Sequence, residues 1–274
     1  MSRLPGLLTS GRPLVMGILN VTPDSFSDGG KFIDLNKAVS HARQMVDGGV
    51  DIIDVGGEST RPGAAPVSVE AECDRVIPVI EAIRTETEVA LSCDTSKSEV
   101  MQAAATAGID LINDVYALRA EGATHVASTS GLPVCLMHMQ GEPRTMQGNP
   151  AYENLTGEIR SFFKERIAAC VAAGIERDKL ILDIGFGFGK TPAHNLTLVN
   201  RLRSFLDFNL PLLVGLSRKS TIGQIVDDRL TGSLAGGLAA LERGARIIRV
   251  HDVAETVAAV RVWRSIQAER VIHE

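Results

Sequence analysis

Eight short apolar runs, separated by longer amphipathic stretches, constrain the fold of this chain more than any other feature. They are Leu14–Val21, Ile52–Gly56, Val89–Cys93, Leu111–Val115, Pro133–Met139, Leu180–Ile184, Pro211–Leu216 and Ile247–Val250. Each is short for a helix, and most are rich in β-branched residues or Leu, as strands buried on both faces are. Between them apolar residues recur at helical spacing. In the last stretch Val257, Val260, Trp263 and Ile266 form one stripe. Asp252 with Glu255, and Ser96 with Glu99, have the spacing of capping boxes at helix starts. Gly48-Gly49, Gly108, Gly174 and Gly244 follow helical patterns, where a left-handed cap is expected.

Eight alternations within 274 residues predict one closed (β/α)8, or TIM, barrel as a single domain over 1–274. An open doubly wound sheet is the rival. It normally has fewer strands and a G-x-G-x-x-G first turn, which Gly17–Pro23 lacks. The chain is 45% hydrophobic and only 4% aromatic, so its core must be largely aliphatic, which suits parallel strands under helices.

A net charge of −5 without any basic block gives no general attraction to nucleic acid or an anionic membrane. An anionic ligand would have to be held by locally placed cations. Cys73, Cys93, Cys135 and Cys170 form no C-x-x-C pair and read as small hydrophobes in a reducing compartment. No run approaches the roughly 18 apolar residues of a membrane span. The start, MSRLPGLLTSGRP, is broken by proline and glycine before a signal-peptide core could form, so a cytoplasmic location is expected.

Barrel chemistry sits where the strands end. Polar residues gather there: Asn20, Asp54, Glu58, Asp94, Asn113, Asp114, His138, Asp183, Ser217 to Lys219, His251 and Asp252. Asp252 reads as a helix cap. A polar group at every strand end exceeds what capping needs, because a buried carboxylate requires a partner. The set therefore points to a shared ligand site. Two connections, Thr22–Phe32 and Glu58–Pro66, exceed the usual 2 to 6 residues and read as binding loops.

The sequence around these positions resembles the dihydropteroate synthase family of pterin-binding enzymes. The segments that carry the resemblance are MGILNVTPDSFSDGG at Met16–Gly30 and DVGGESTRPGA at Asp54–Ala64. CDTSK at Cys93–Lys97, INDV at Ile112–Val115, DIGFGFGKT at Asp183–Thr191, GLSRKS at Gly215–Ser220 and RVHDV at Arg249–Val253 follow in order. Ile184 departs from the family's usual proline, from which a freer Gly185–Gly189 loop is expected, and Val226–Thr231 is short.

The resemblance implies condensation of 6-hydroxymethyl-7,8-dihydropterin pyrophosphate with p-aminobenzoate, releasing pyrophosphate, and a homodimer. It implies that Asp183, Asp94, Asn113 and Lys219 hold the pterin, with Met137 packed on its ring. Thr60, Phe26, Pro62, Phe188, Ser217 and Lys219 would line the benzoate side. Arg61, Arg249 and His251 would cradle the pyrophosphate, Asp24 would stabilise a carbocation, and Asn20 would contact Mg2+. These small molecules are the expected partners. On residue chemistry, a carboxylate can accept the pterin's paired N–H donors, and arginine suits phosphate better than lysine does. Two alternatives are a pterin-dependent methyltransferase, which has no use for the Arg61, Arg249 and His251 anion site, and a non-catalytic pterin-binding paralogue.

Overall fold

The computed structural model describes residues 3–22, 31–59, 64–142 and 145–272. In chain order the elements are α1 (Leu4–Thr9), β1 (Leu14–Asn20), α2 (Lys31–Asp47), β2 (Ile52–Gly56), α3 (Val69–Glu86), β3 (Ala90–Asp94), α4 (Ser98–Ala107) and β4 (Leu111–Asp114). They continue with α5 (Ala123–Ser130), β5 (Val134–Met137), α6 (Leu155–Ala172), β6 (Leu180–Asp183), α7 (Pro192–Asn200), β7 (Leu212–Val214), α8 (Ser220–Gly223), α9 (Arg229–Glu242), β8 (Ile247–Val250) and α10 (Val253–Gln267). All neighbouring strands are parallel, and β8 closes on β1. The eight apolar runs are the eight strands of a TIM barrel, so the open-sheet alternative is excluded.

Side chains alternate faces along a strand, and here the alternation separates two cores. Val15, Leu19, Ile53, Val55, Leu91, Ile112, Leu136, Leu182, Val214 and Ile248 point outward into the large cluster shared with the helices. Leu14, Met16, Ile52, Ala90, Leu111, Cys135, Ile181, Leu213 and Ile247 form a separate cluster inside the barrel. Stepping two residues on from that inner cluster on four strands leads to polar residues, Ile52 to Asp54, Leu111 to Asn113, Ile181 to Asp183 and Ile247 to Arg249, and on β3 two such steps lead from Ala90 through Ser92 to Asp94. The same period that packs the floor therefore aims the polar set at the opening.

The N-terminal end of the barrel is covered by α1. Leu4 is fully buried in the inner cluster, with Leu7 and Leu8 packed against it. Burying one such leucine is worth about 2 kcal/mol. The proline and glycine of this segment gave no sign of a helix. Pro5 in fact sits in its first turn, where a missing N–H costs nothing.

Gly49, Gly108, Gly174 and Gly244 take positive φ after their helices, as expected. The two capping boxes are corrected. α4 starts after Lys97 with no side-chain cap, and Ser96 Oγ donates instead to Asp114. α10 starts after Asp252, also without a side-chain cap, because that carboxylate accepts from Arg218. The stripe on α10 holds at Val257, Val260 and Trp263, whereas Ile266 is 67% exposed. No described helix is long and apolar enough to cross a membrane.

Candidate active site

The inward polar residues converge at the C-terminal mouth. Asp94, Asn113 and Cys135 share one level, since β3 pairs Asp94 with Asn113 and β5 pairs Cys135 with Asn113. Met137 pairs with Asp183 one step further out. Arg249 is the hub. Its Nε donates to Asp54 Oδ2 at 2.6 Å and its Nη2 to Asp94 Oδ2 at 2.7 Å, tying β8 to β2 and β3 across the barrel. Asn113 Nδ2 donates to the same Asp54 oxygen at 3.1 Å.

Asp54 is therefore the residue the sequence reading left without a role. It is fully buried beneath Asp94, and it orients both a guanidinium and an amide proposed to meet ligand. Besides opening the Asp54–Ala64 segment, it is marked by its place one period above Ile52, where a carboxylate in a strand demands partners. Its Oδ1, like the Ser92 Oγ on the paired strand, has no hydrogen-bond partner among the described residues.

Burial pushes Asp94 up to about 7, with Arg249 opposing and Asp54 adding to the rise. Asp183 is also raised by burial, against the pull of Lys219 and the N–H of Gly185, which donates to its Oδ1 at 2.8 Å. Lys219 is lowered to about 8 by burial, with Asp183 opposing. The acids of the site are thus set against Arg249 and Lys219 in a buried surrounding.

Lys219 reaches the mouth through a constrained turn. Arg218 holds φ +56°, sparsely populated for a residue with a Cβ, and is fixed by its N–H to Ser233 Oγ and by its side chain on Asp252. Lys219 Nζ then donates to the Phe186 carbonyl and lies 4.6 Å from the Phe188 ring centroid. Phe188 packs against the cluster of Val115, Met137, Met139 and Met146, so Met137 and Phe188 belong to one apolar wall.

Ser217 is buried and its Oγ accepts the His251 N–H at 3.2 Å, with His251 Nδ1 at 3.1 Å. The hydroxyl thus orients His251. Asn20, at the end of β1, pairs with Gly56, which pairs in turn with Asp94. A Cβ on Gly56 would lie 3.8 Å from Asn20 Oδ1 and 3.5 Å from Asp94 Cβ, so glycine keeps that space open.

Other strand-end polar residues are engaged within the fold. Glu58 pairs with Lys97, which also holds Glu72 of α3. Asp114 accepts the N–H groups of Tyr116 and Leu118 as well as Ser96. His138 faces Lys190. Ile184, which precedes the Gly185–Gly189 loop, is fully buried in the outer core. Asp24, Phe26, Thr60, Arg61 and Pro62 lie outside the described residues. Cys93, Cys135 and Cys170 are buried and Cys73 is half-buried, all unpaired, with burial raising every thiol. They are poor nucleophiles.

The chain is a closed parallel barrel with acids deep in its mouth, Arg249 on β8 and His251 just after it. The match to the pterin binding enzyme family covers residues 16–251, and the chain belongs to that family. Within it, similarity runs to the dihydropteroate synthases, transferases of folate synthesis. The Escherichia coli K12 dihydropteroate synthase is 58% identical over 93% of this chain and 92% of its own length. The Haemophilus influenzae protein of the same name is 50% identical over 92% and 94%. The Yersinia pestis dihydropteroate synthase in a sulfonamide drug complex superposes with a TM-score of 0.90, at 52% identity over 95% of this chain and 96% of that one.

Proposed function

We propose that this chain joins 6-hydroxymethyl-7,8-dihydropterin pyrophosphate to p-aminobenzoate, giving 7,8-dihydropteroate and pyrophosphate. The observation that carries the reading is the arrangement of Asp183, Asp94 and Asn113 inside the mouth with Arg249 and His251 beside them. A solved relative, the Xanthomonas albilineans dihydropteroate synthase in complex with 7,8-dihydropteroate, shares 45% identity with a TM-score of 0.86.

In this reading Asp183 accepts the pterin's ring N–H and exocyclic amine together, a fork that one carboxylate matches. Asp94 and Asn113 hold further pterin edges, Lys219 donates to the ring, and Met137 packs on its face. Arg249 has Nε and Nη2 engaged by Asp54 and Asp94, leaving Nη1 without a protein partner among the described residues and able to meet phosphate. His251, oriented by Ser217, and Arg61 complete the anion cradle.

The bond between the pterin CH2 and the diphosphate oxygen breaks, and its electron pair leaves with pyrophosphate. Cations fixed beforehand stabilise the charge that develops there. Asp24 stabilises the carbocation left at CH2. The amine of p-aminobenzoate, bounded by Phe26, Thr60, Pro62, Phe188, Ser217 and Lys219, forms the new C–N bond and gives its proton to water or pyrophosphate. No residue of the chain becomes covalently attached.

Magnesium fits as a companion of the diphosphate. Among the described residues no group of three His, Cys, Asp or Glu could hold a metal alone. Asn20 Oδ1 beside the open space at Gly56 suits an ion whose other ligands are phosphate oxygens and water. When bound, the ion would neutralise diphosphate charge.

We also propose that residues 1–274 form one domain and that the enzyme is cytoplasmic, consistent with four unpaired cysteines. A homodimer is proposed as well, supported by exposed Leu196, Ile225 and Val226 around α7 and α8. Purified protein given both substrates with Mg2+ should release one pyrophosphate per dihydropteroate formed. Pyrophosphate release that does not depend on p-aminobenzoate, or none at all, would overturn the reading.

A further inference from the structure

Lys190 is buried at the rim of the barrel, 2% exposed, and no carboxylate lies within ion-pair distance of it among the described residues. Its Nζ nonetheless has three polar partners, and burial lowers it to about 7, with Asp183 opposing. Nζ lies 2.9 Å from the Phe188 carbonyl, 3.3 Å from the His138 carbonyl and 3.0 Å from His138 Nδ1. His138 follows β5, and Phe188 lies in the loop after β6. One side chain therefore joins two neighbouring strand ends.

The loop itself lies hard against the β5 side. A Cβ on Gly185 would come 1.8 Å from the His138 carbonyl oxygen, and one on Gly189 would come 2.4 Å from that of Gln140. Both glycines also hold positive φ. Backbone this close, with its carbonyls turned inward, needs a donor between the layers, since an unpaired buried acceptor is costly. Burial keeps the His138 ring neutral, lowering it to about 2, and in the tautomer that carries its proton on Nε2 the Nδ1 accepts from Lys190.

We infer that Lys190 is a positioning residue. It bolts the 185–189 loop to the end of β5 and so sets where the Phe188 ring stands. Because Lys219 lies over that ring, the same contact fixes the p-aminobenzoate side of the site. This inference rests on the function proposed above for its effect on catalysis, but not for the contact itself.

Lys190→Met keeps the length of the side chain and removes its donors. The expected result is a KM for p-aminobenzoate raised about tenfold, the size of effect that losing one or two buried hydrogen bonds gives, with kcat down by less than about threefold. A merely structural role would lower kcat through loss of folded protein and leave KM alone. His138→Leu, which removes one of the three acceptors, should raise the same KM about threefold, whereas His138→Asn restores an acceptor near Nδ1 and should return it toward the starting value. These two variants decide the matter if Lys190→Met does not fold. Unchanged KM in folded Lys190→Met, or in His138→Leu, overturns the proposal. Should the parent protein release no pyrophosphate, the functional reading falls while the positioning role is decided by hydrogen exchange over 185–190. Faster exchange in Lys190→Met or His138→Leu supports it, and equal exchange overturns it.

Discussion

Replacing Asp54 by Asn tests whether the site is held from below. The substitution keeps the shape and removes the charge that receives Arg249 Nε at 2.6 Å. Asn113 can still find an oxygen there, so the main loss is one charge-assisted hydrogen bond, about 2 kcal/mol, with up to about 1 kcal/mol more for the altered Asn113 geometry. Arg249 keeps Asp94 as a partner and is 20% exposed, so the full cost of stranding a buried charge does not apply. Spread over a chain of this size, a loss of 2–3 kcal/mol lowers Tm by about 4–10 °C. If the same energy is lost from the oriented guanidinium in the transition state, kcat/KM falls about 30- to 150-fold. A second readout is independent of fold stability. Asp54 contributes to the raised position of Asp94, so removing its charge should move the acid limb of kcat/KM to lower pH. Stopped assays of pyrophosphate release between pH 5.5 and 9, with a thermal melt on each sample, measure both. A variant with kcat/KM within threefold of the parent and an unmoved acid limb would refute the claim that Asp54 orients Arg249.

Three further outcomes follow from the same geometry. The pH profile of kcat/KM should be narrow: it falls below about pH 7 as Asp94 gains its proton and above about pH 8 as Lys219 loses its own, and a flat profile from 6 to 9 contradicts this. Gly189→Ala forces a Cβ to 2.4 Å from the Gln140 carbonyl oxygen at φ +62°, which should cost about 2–5 kcal/mol from strain and overpacking, and a melt unchanged within 2 °C would show that the loop relaxes freely. Calorimetry should detect p-aminobenzoate binding only when pyrophosphate and Mg2+ are present, with a sulfonamide competing for it; equal affinity without pyrophosphate contradicts a pocket completed by the bound anion.

The barrel was legible because parallel strands buried on both sides must be short apolar runs, and Ile52–Gly56 and Ile247–Val250 match their strands to the residue. The mouth was legible for a related reason. Asp183 and Arg249 interrupt those runs at a period of two from the inner cluster, so strand geometry alone aims them inward. What the sequence left open was partnership. Ser96 and Asp252 have the residue types of caps, but Asp114 and Arg218 lie closer in space than the helix N–H groups do. Asp54, His138 and Lys190 stood in recognisable segments, yet their roles depend on contacts between strands many residues apart. The α1 plug was missed because a six-residue helix containing proline and glycine has no periodic signal, and only the open floor of a barrel gives it something to cover.

The most direct test of the central claim is calorimetric titration of Asp183→Asn with two ligands separately, 6-hydroxymethylpterin and pyrophosphate with Mg2+. An amide presents a donor where the pterin also presents one. Pterin affinity should therefore fall at least about a hundredfold, while pyrophosphate affinity stays within about threefold of the parent. Pterin binding that survives the substitution, or pyrophosphate binding lost along with it, would contradict a site in which an inner acid holds the ring while Arg249 and His251 hold the diphosphate.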